Sequence, residues 1–276
     1  MRIMIFNIFI VFFLFIAVFW VISGKGQIAE LTHMLWLVGI VMVLSLLSIN
    51  TVYMLNRKLL GLLETENWPA LSAYLEKKVY EEERYTPRYV KLLAQSCLAA
   101  RNFDGAINLK QRLAAVKPAM VEDNALILGA AYLLGGNTAA AVSFFQERLE
   151  KVKPQHHASS LQGGVVDWLC WYYGFSLILT GAAELAGTVM EELASGARDM
   201  LVTALAAFLL TELAGKSPSA PAEWRVRAEE GKSRVRKALK TAEKWTKKAK
   251  KLKAEIHGAV IRNYVDRAGA WVWERN

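Results

Sequence analysis

The chain has 276 residues, a net charge of +9 and an apolar fraction of 54%, above the usual 45–50% or so for soluble domains. That length gives room for one or two domains with a sizeable core, and the two cysteines, Cys97 and Cys170, exclude a disulfide framework; both sit in apolar helical patterns and are expected as buried reduced thiols. The charge belongs to one segment: Arg225–Lys253 holds 13 basic and 3 acidic residues.

In chain order, Ile3–Ile22 is an uncharged apolar run, long enough to cross a bilayer core of about 30 Å. A secretory signal peptide is the competing reading, but the run is too long and no A-x-A site follows it, only Ser23-Gly24-Lys25-Gly26. Ser23–Thr32 is a polar turn, and Met34–Leu55 a second span closed by Asn56, Arg57 and Lys58. The two predict a transmembrane hairpin over residues 1–56, with spans at about 3–22 and 34–55; Asn50 has two readings, a hydrogen bond to the first helix or contact with water near the helix end. Arg2, Arg57 and Lys58 outweigh Lys25 across the hairpin, so both termini are expected in the cytoplasm of a multi-pass inner-membrane protein. A periplasmic or extracellular domain is the alternative.

Residues 57–214 carry a helical pattern with a repeat. Leu128, Gly129, Tyr132, Gly136, Ala141 and Phe145, with Ala125 ahead of them, hold one register. A unit earlier the same register gives Val90, Leu93, Ala94, Cys97, Phe103, Ala106, Leu109, Leu113 and Pro118. A degenerate unit at Trp68, Leu71 and Leu75 precedes them, and Gly174, Leu177, Gly181, Ala186, Met190 and Leu193 follow after a loop at Lys153–Val165. This spacing resembles the tetratricopeptide (TPR) family, whose pattern runs W-x2-L-G-x2-Y, then G, then A-x3-F. The resemblance covers roughly Leu55–Ala194 and implies a short α-solenoid whose small residues sit where two helices of a hairpin approach closely.

That resemblance also implies an inner groove that binds peptides. Projected onto this chain, its groove positions include Lys91, Gln95, Leu126, Ala130, Trp168, Trp171 and Phe175. Family members that grip a C-terminal carboxylate need polar groups where Ala130 and Trp168 stand here, so an apolar or aromatic groove is one reading. Aromatic packing under the next helices is the other.

Arg198–Leu213 is apolar nearly all round and is expected to be buried. Gly215–Pro221 is a breaker, and residues 215–276 read as a linker and one long basic helix from Glu223. Its stripe of Val235, Leu239, Ala242, Trp245, Ala249, Leu252, Ile256 and Val260 recurs at three- and four-residue steps, while Lys240, Lys244, Lys247, Lys248, Lys250 and Lys251 form a basic surface. Capping the last repeat, contacting anionic lipid, and binding nucleic acid, the least favoured, are its three readings. The aromatic tail Trp271-Val272-Trp273 is expected to pack back.

No catalytic motif, nucleotide-binding glycine run or cofactor signature occurs. His156-His157 has no Cys, Asp or Glu at ligand spacing, so no metal is expected. Asp167, just ahead of Trp168, reads as a helix N-cap. The expectation is an all-α, non-enzymatic, membrane-embedded TPR-like scaffold for an unidentified protein partner. Membrane-surface or nucleic-acid binding through the basic helix is the alternative.

Overall fold

The structure, a computed structural model, describes residues 28–152, 163–216 and 220–273. The expected first span at Ile3–Ile22 and the His156-His157 loop lie outside them. Among the described residues every regular element is helical. The chain divides between Asn67 and Trp68 into two units.

In the first unit, α1 runs unbroken over Ile28–Glu64. The expected turn at Ser23–Thr32 gives way to helix from Ile28, since Ile-Ala-Glu-Leu contains no breaker. Ile40–Glu64, 25 residues, is long and apolar enough to cross a membrane, and within it only Leu59, near the C-terminal end, is buried. Four of its polar side chains are satisfied within the helix. Ser45, Ser48, Thr51 and Asn56 each donate to the carbonyl four residues back, at 2.7–2.8 Å. This helix therefore tolerates hydrocarbon without stranding those donors. The Asn50 Oδ1 is shielded and has no hydrogen-bond partner among the described residues.

In the second unit the helices are α2 (Trp68–Glu76), α3 (Pro87–Ala99), α4 (Phe103–Val116), the single turn α5 (Ala119–Asp123), α6 (Ala125–Leu134), α7 (Thr138–Val152), α8 (Gly163–Leu179), α9 (Ala183–Gly196), α10 (Met200–Lys216), α11 (Ala222–Leu239), α12 (Ala242–Ala254) and α13 (Arg262–Trp273). A π-helical turn (Lys77–Glu81) extends α2, and a 3-10 turn (Ile256–Ala259) precedes α13.

One turn geometry recurs four times. Glu66, Arg101, Gly136 and Gly181 have φ of +49°, +57°, +77° and +83°, at intervals of 35, 35 and 45 residues. At each, the next residue's N–H bonds five residues back: Asn67 to Leu62, Asn102 to Cys97, Asn137 to Tyr132 and Ala182 to Leu177. The left-handed residue's own N–H bonds three back. This double closure is a Schellman cap, which satisfies the last carbonyls of one helix. Asn102 and Asn137 then cap the next helix, accepting the N–H of Gly105 at 3.0 Å and of Ala140 at 3.1 Å.

Positions on the same intervals are fully buried: Leu71, Ala106, Ala141 and Ala186. Side chains are excluded at the closest approaches. A Cβ on Gly129 would strike the Phe145 ring, and one on Gly174 would stand 2.8 Å from the Met190 methyl. Each helix packs on the next, and α4 reaches α6, α6 reaches α8, α8 reaches α10 and α9 reaches α11.

The second half closes around α10. Leu201–Leu210 is buried on every side, as a composition apolar but for Thr203 requires. Its neighbours are α8, α9, α11, α12 and α13.

The single basic helix expected from Glu223 is three helices. Lys240 (φ +64°) ends α11, Thr241 caps α12 through the N–H of Lys244, and Glu255 leaves the helix in an extended conformation. A narrow stripe on one straight rod cannot follow a curved surface; the breaks let Val235, Leu239, Trp245, Ala249 and Leu252 all be buried, while Ala242, at the break, is exposed. The Trp271-Val272-Trp273 tail packs back as expected: Val272 is buried, Trp271 lies 6.1 Å from Phe208, and Arg236 Nε donates to the Val272 carbonyl at 2.6 Å.

Candidate functional site

Trp168, Trp171, Tyr172 and Phe175 recur at three- and four-residue steps on α8 and so share one face. Trp171 stacks on Phe175 at 5.0 Å, and Tyr172 stacks on Phe145 of α7 at 5.5 Å. The C-terminal segment covers this face. Phe175 meets Tyr264 edge-on at 5.0 Å, Trp168 meets the His257 ring at 5.9 Å, and the 3-10 turn also touches α3 and α6.

His257 is the centre of that contact. The Tyr172 hydroxyl donates to the His257 carbonyl at 2.8 Å and stands 3.0 Å from Nδ1. Nε2 lies 2.8 Å from a Glu255 carboxylate oxygen, which can only accept, so Nε2 carries the proton. Burial holds the imidazole below its ordinary pKa; Glu255 opposes that shift and Lys91 adds to it. Burial also pushes the Tyr172 phenol up. At Gly258 a Cβ would collide with the Leu252 carbonyl, so only glycine fits this turn.

The groove candidates thus fall into two sets. Ala130, Trp168, Trp171 and Phe175 are buried, whereas Lys91 is exposed and Gln95 and Leu126 are half-buried. The aromatic set packs beneath the chain's own C-terminal segment. Tyr172, Glu255, His257 and Tyr264 were not among the sequence candidates. Their signal is the Glu255-Ile256-His257-Gly258 interruption in an otherwise lysine-rich helix.

Asp167 is not the cap of its own helix, because α8 starts four residues earlier, at Gly163. Its carboxylate instead accepts the N–H groups of Arg198 at 2.7 Å and Asp199 at 3.0 Å, ahead of α10. Trp168 Nε1 donates to Asp199 at 3.1 Å. Cys97 is buried, with its thiol pushed up to about 12 by that burial, and Cys170 is half-buried.

The basic-surface candidates Lys240, Lys244, Lys247, Lys248, Lys250 and Lys251 are all exposed. Five of them, all but Lys240, line a concavity with Leu239 and Ala254. Among the described residues no group of three or more His, Cys, Asp or Glu side chains is placed to hold a metal.

A family model described as "Uncharacterised Treponema protein" matches residues 105–274. An uncharacterized protein of Treponema pallidum (strain Nichols) is 30% identical over 174 residues, covering 63% of this chain. The match spans about half of that relative's length (52%). The matched region takes in α4 to α13, including the aromatic face and the segment that covers it.

Proposed function

The chain belongs to the uncharacterised Treponema protein family, and we propose that it is a membrane-anchored, non-enzymatic adaptor whose TPR-like helical array holds a partner protein. The observation that carries this reading is the Schellman turn repeated at 35, 35 and 45 residues, with a buried small or apolar residue at the matching place in each following helix. Repeated helix pairs of this kind offer an extended binding surface and little chemistry. The anchor is α1, paired with Ile3–Ile22 as a two-span hairpin that leaves the helical array in the cytoplasm.

The partner contacts the strip that stays open on the first helices, Lys91, Gln95 and Leu126, beside the self-covered aromatic face. The test is affinity isolation of the full chain from solubilised membranes, with the native sequence and with a Lys91→Glu, Leu126→Asp variant. Loss of one co-purifying protein from the variant supports the reading. An unchanged set of proteins from a folded variant overturns it. A reporter fused after Asn276 that is active only outside the cytoplasm tests the sidedness separately.

A further inference from the structure

The basic residues of the C-terminal segment differ in what they touch. On α11 and α13 most are used in the fold, exposed Lys237 and Arg262 excepted. Arg234 donates to the Ser195 and Ala197 carbonyls at 2.6 Å each, Lys232 lies 4.7 Å over Trp271, Arg236 holds the Val272 carbonyl, and Arg267 pairs with Glu212 at 3.0 Å. On α12, Lys253 pairs with Asp266. Lys244, Lys247, Lys248, Lys250 and Lys251 are exposed and make no ion pair among the described residues.

Those five stand within three turns of one helix, many at three- and four-residue steps, where like charges destabilise a helix. The opposite stripe of Trp245, Ala249 and Leu252 is buried, so α12 is already fixed to the domain without them. The fold itself gives these five lysines no ion-pair partner among the described residues.

We propose that the lysine face of α12 is a docking surface for an anionic lipid bilayer. Three observations select this occupant. Five lysines against one acidic residue, Glu243, make the exposed face of α12 strongly positive, and the lysines line a concavity with the apolar Leu239 and Ala254, which suits phosphate headgroups above acyl chains. The same chain carries a helix long and apolar enough to cross a membrane, which keeps a bilayer within reach. The one aromatic residue of α12, Trp245, turns inward and is buried, so the face lacks the stacking platform that single-stranded nucleic acid uses. This inference rests on α1 lying in a membrane and is independent of the adaptor reading.

The experiment uses the full chain reconstituted into vesicles of phosphatidylcholine alone, or of phosphatidylcholine with phosphatidylglycerol. Amine-reactive labelling is quantified at each lysine by mass spectrometry, with exposed Lys117 as internal reference. Vesicle flotation reports α1 separately, since it is expected with both lipids. Labelling of Lys244, Lys247, Lys248, Lys250 and Lys251 should fall several-fold in the anionic vesicles only, and return at high salt as exposed charges are screened. Equal labelling in the two lipids overturns the proposal, as does protection that persists at high salt. Salt-sensitive retention of a fluorescent single-stranded RNA by the detergent-solubilised chain, without lipid-dependent protection, overturns it in favour of a nucleic-acid surface.

Discussion

Tyr172 and His257 stand 85 positions apart, yet the Tyr172 hydroxyl donates to the His257 carbonyl at 2.8 Å and reaches its ring nitrogen at 3.0 Å. One side chain of α8 thereby holds both the backbone and the ring of the turn that covers the aromatic face. Removing the hydroxyl with Tyr172→Phe leaves the buried His257 carbonyl without its donor, which costs about 1–3 kcal/mol. Denaturant unfolding of the detergent-solubilised chain should show that loss, and residues 255–273 should become more open to proteolysis. Unchanged stability and protection would mean that the contact is incidental.

The same contact makes stability depend on pH. Burial holds His257 below its ordinary value of 6.5, so the folded ring stays neutral at pH values where an unfolded one is charged. Between those two values the unfolded chain binds more protons, and stability rises with pH. Above the unfolded value the dependence levels off. The charged groups that act on the ring are Lys91 from α3 and Glu255 from its own turn, with Tyr172 from α8 as its hydrogen-bond partner. Stability measured from about pH 5.5 to 7.5 should climb for the native chain and flatten for His257→Gln. Equal slopes would assign the dependence to another group.

How much of this was legible in the sequence depends on the range of the interaction that fixes each feature. Gly129, Ala141 and Phe145 announced a close helix pair because their spacing is local, and a Cβ on Gly129 does meet Phe145. The buried α10 was legible from composition alone. The break at Lys240 was not, because Leu-Lys-Thr carries no glycine or proline and the bend is driven by the surface that α12 must follow. Asp167 was misplaced for a related reason: its N–H partners lie 31 and 32 residues away, beyond any local pattern. The aromatic face was visible on α8, but that the chain's own His257 covers it was not.

Gly129 tests the close approach. Leucine there would drive atoms into the Phe145 ring between α6 and α7, at a cost of at least about 1–3 kcal/mol by overpacking. Even Gly129→Ala should lose stability, although alanine is the better helix former, because the Cβ itself collides. A gain from alanine in thermal unfolding would refute the packing described for this pair.

Arg101 offers a prediction of the opposite sign. It occupies at φ +57° the place that Gly136 and Gly181 hold in the later turns, and a left-handed side chain costs roughly 1–2 kcal/mol. Glycine gives back part of that relief through its larger unfolded-state entropy, roughly 0.5–1 kcal/mol. Arg101→Gly is therefore expected to raise stability by about 0.5–1 kcal/mol, read as a higher unfolding midpoint. A lower midpoint would mean that the arginine side chain stabilises the fold by more than its backbone strain.

Trp245 separates what α12 does for the fold from what its lysines do. Its indole is buried, and a Cβ on Gly269 of α13 would strike its ring nitrogen, so the two helices meet with no space between them. Trp245→Ala empties that contact and should destabilise the chain by about 3–5 kcal/mol. Lys247→Glu with Lys250→Glu changes only exposed positions and relieves like-charge repulsion along the helix, so its unfolding midpoint should stay the same or rise slightly. Both variants are compared in detergent, where no bilayer can contribute. A lysine variant that unfolds as easily as Trp245→Ala would place those lysines in the fold itself and remove the argument that they are held for a surface outside it.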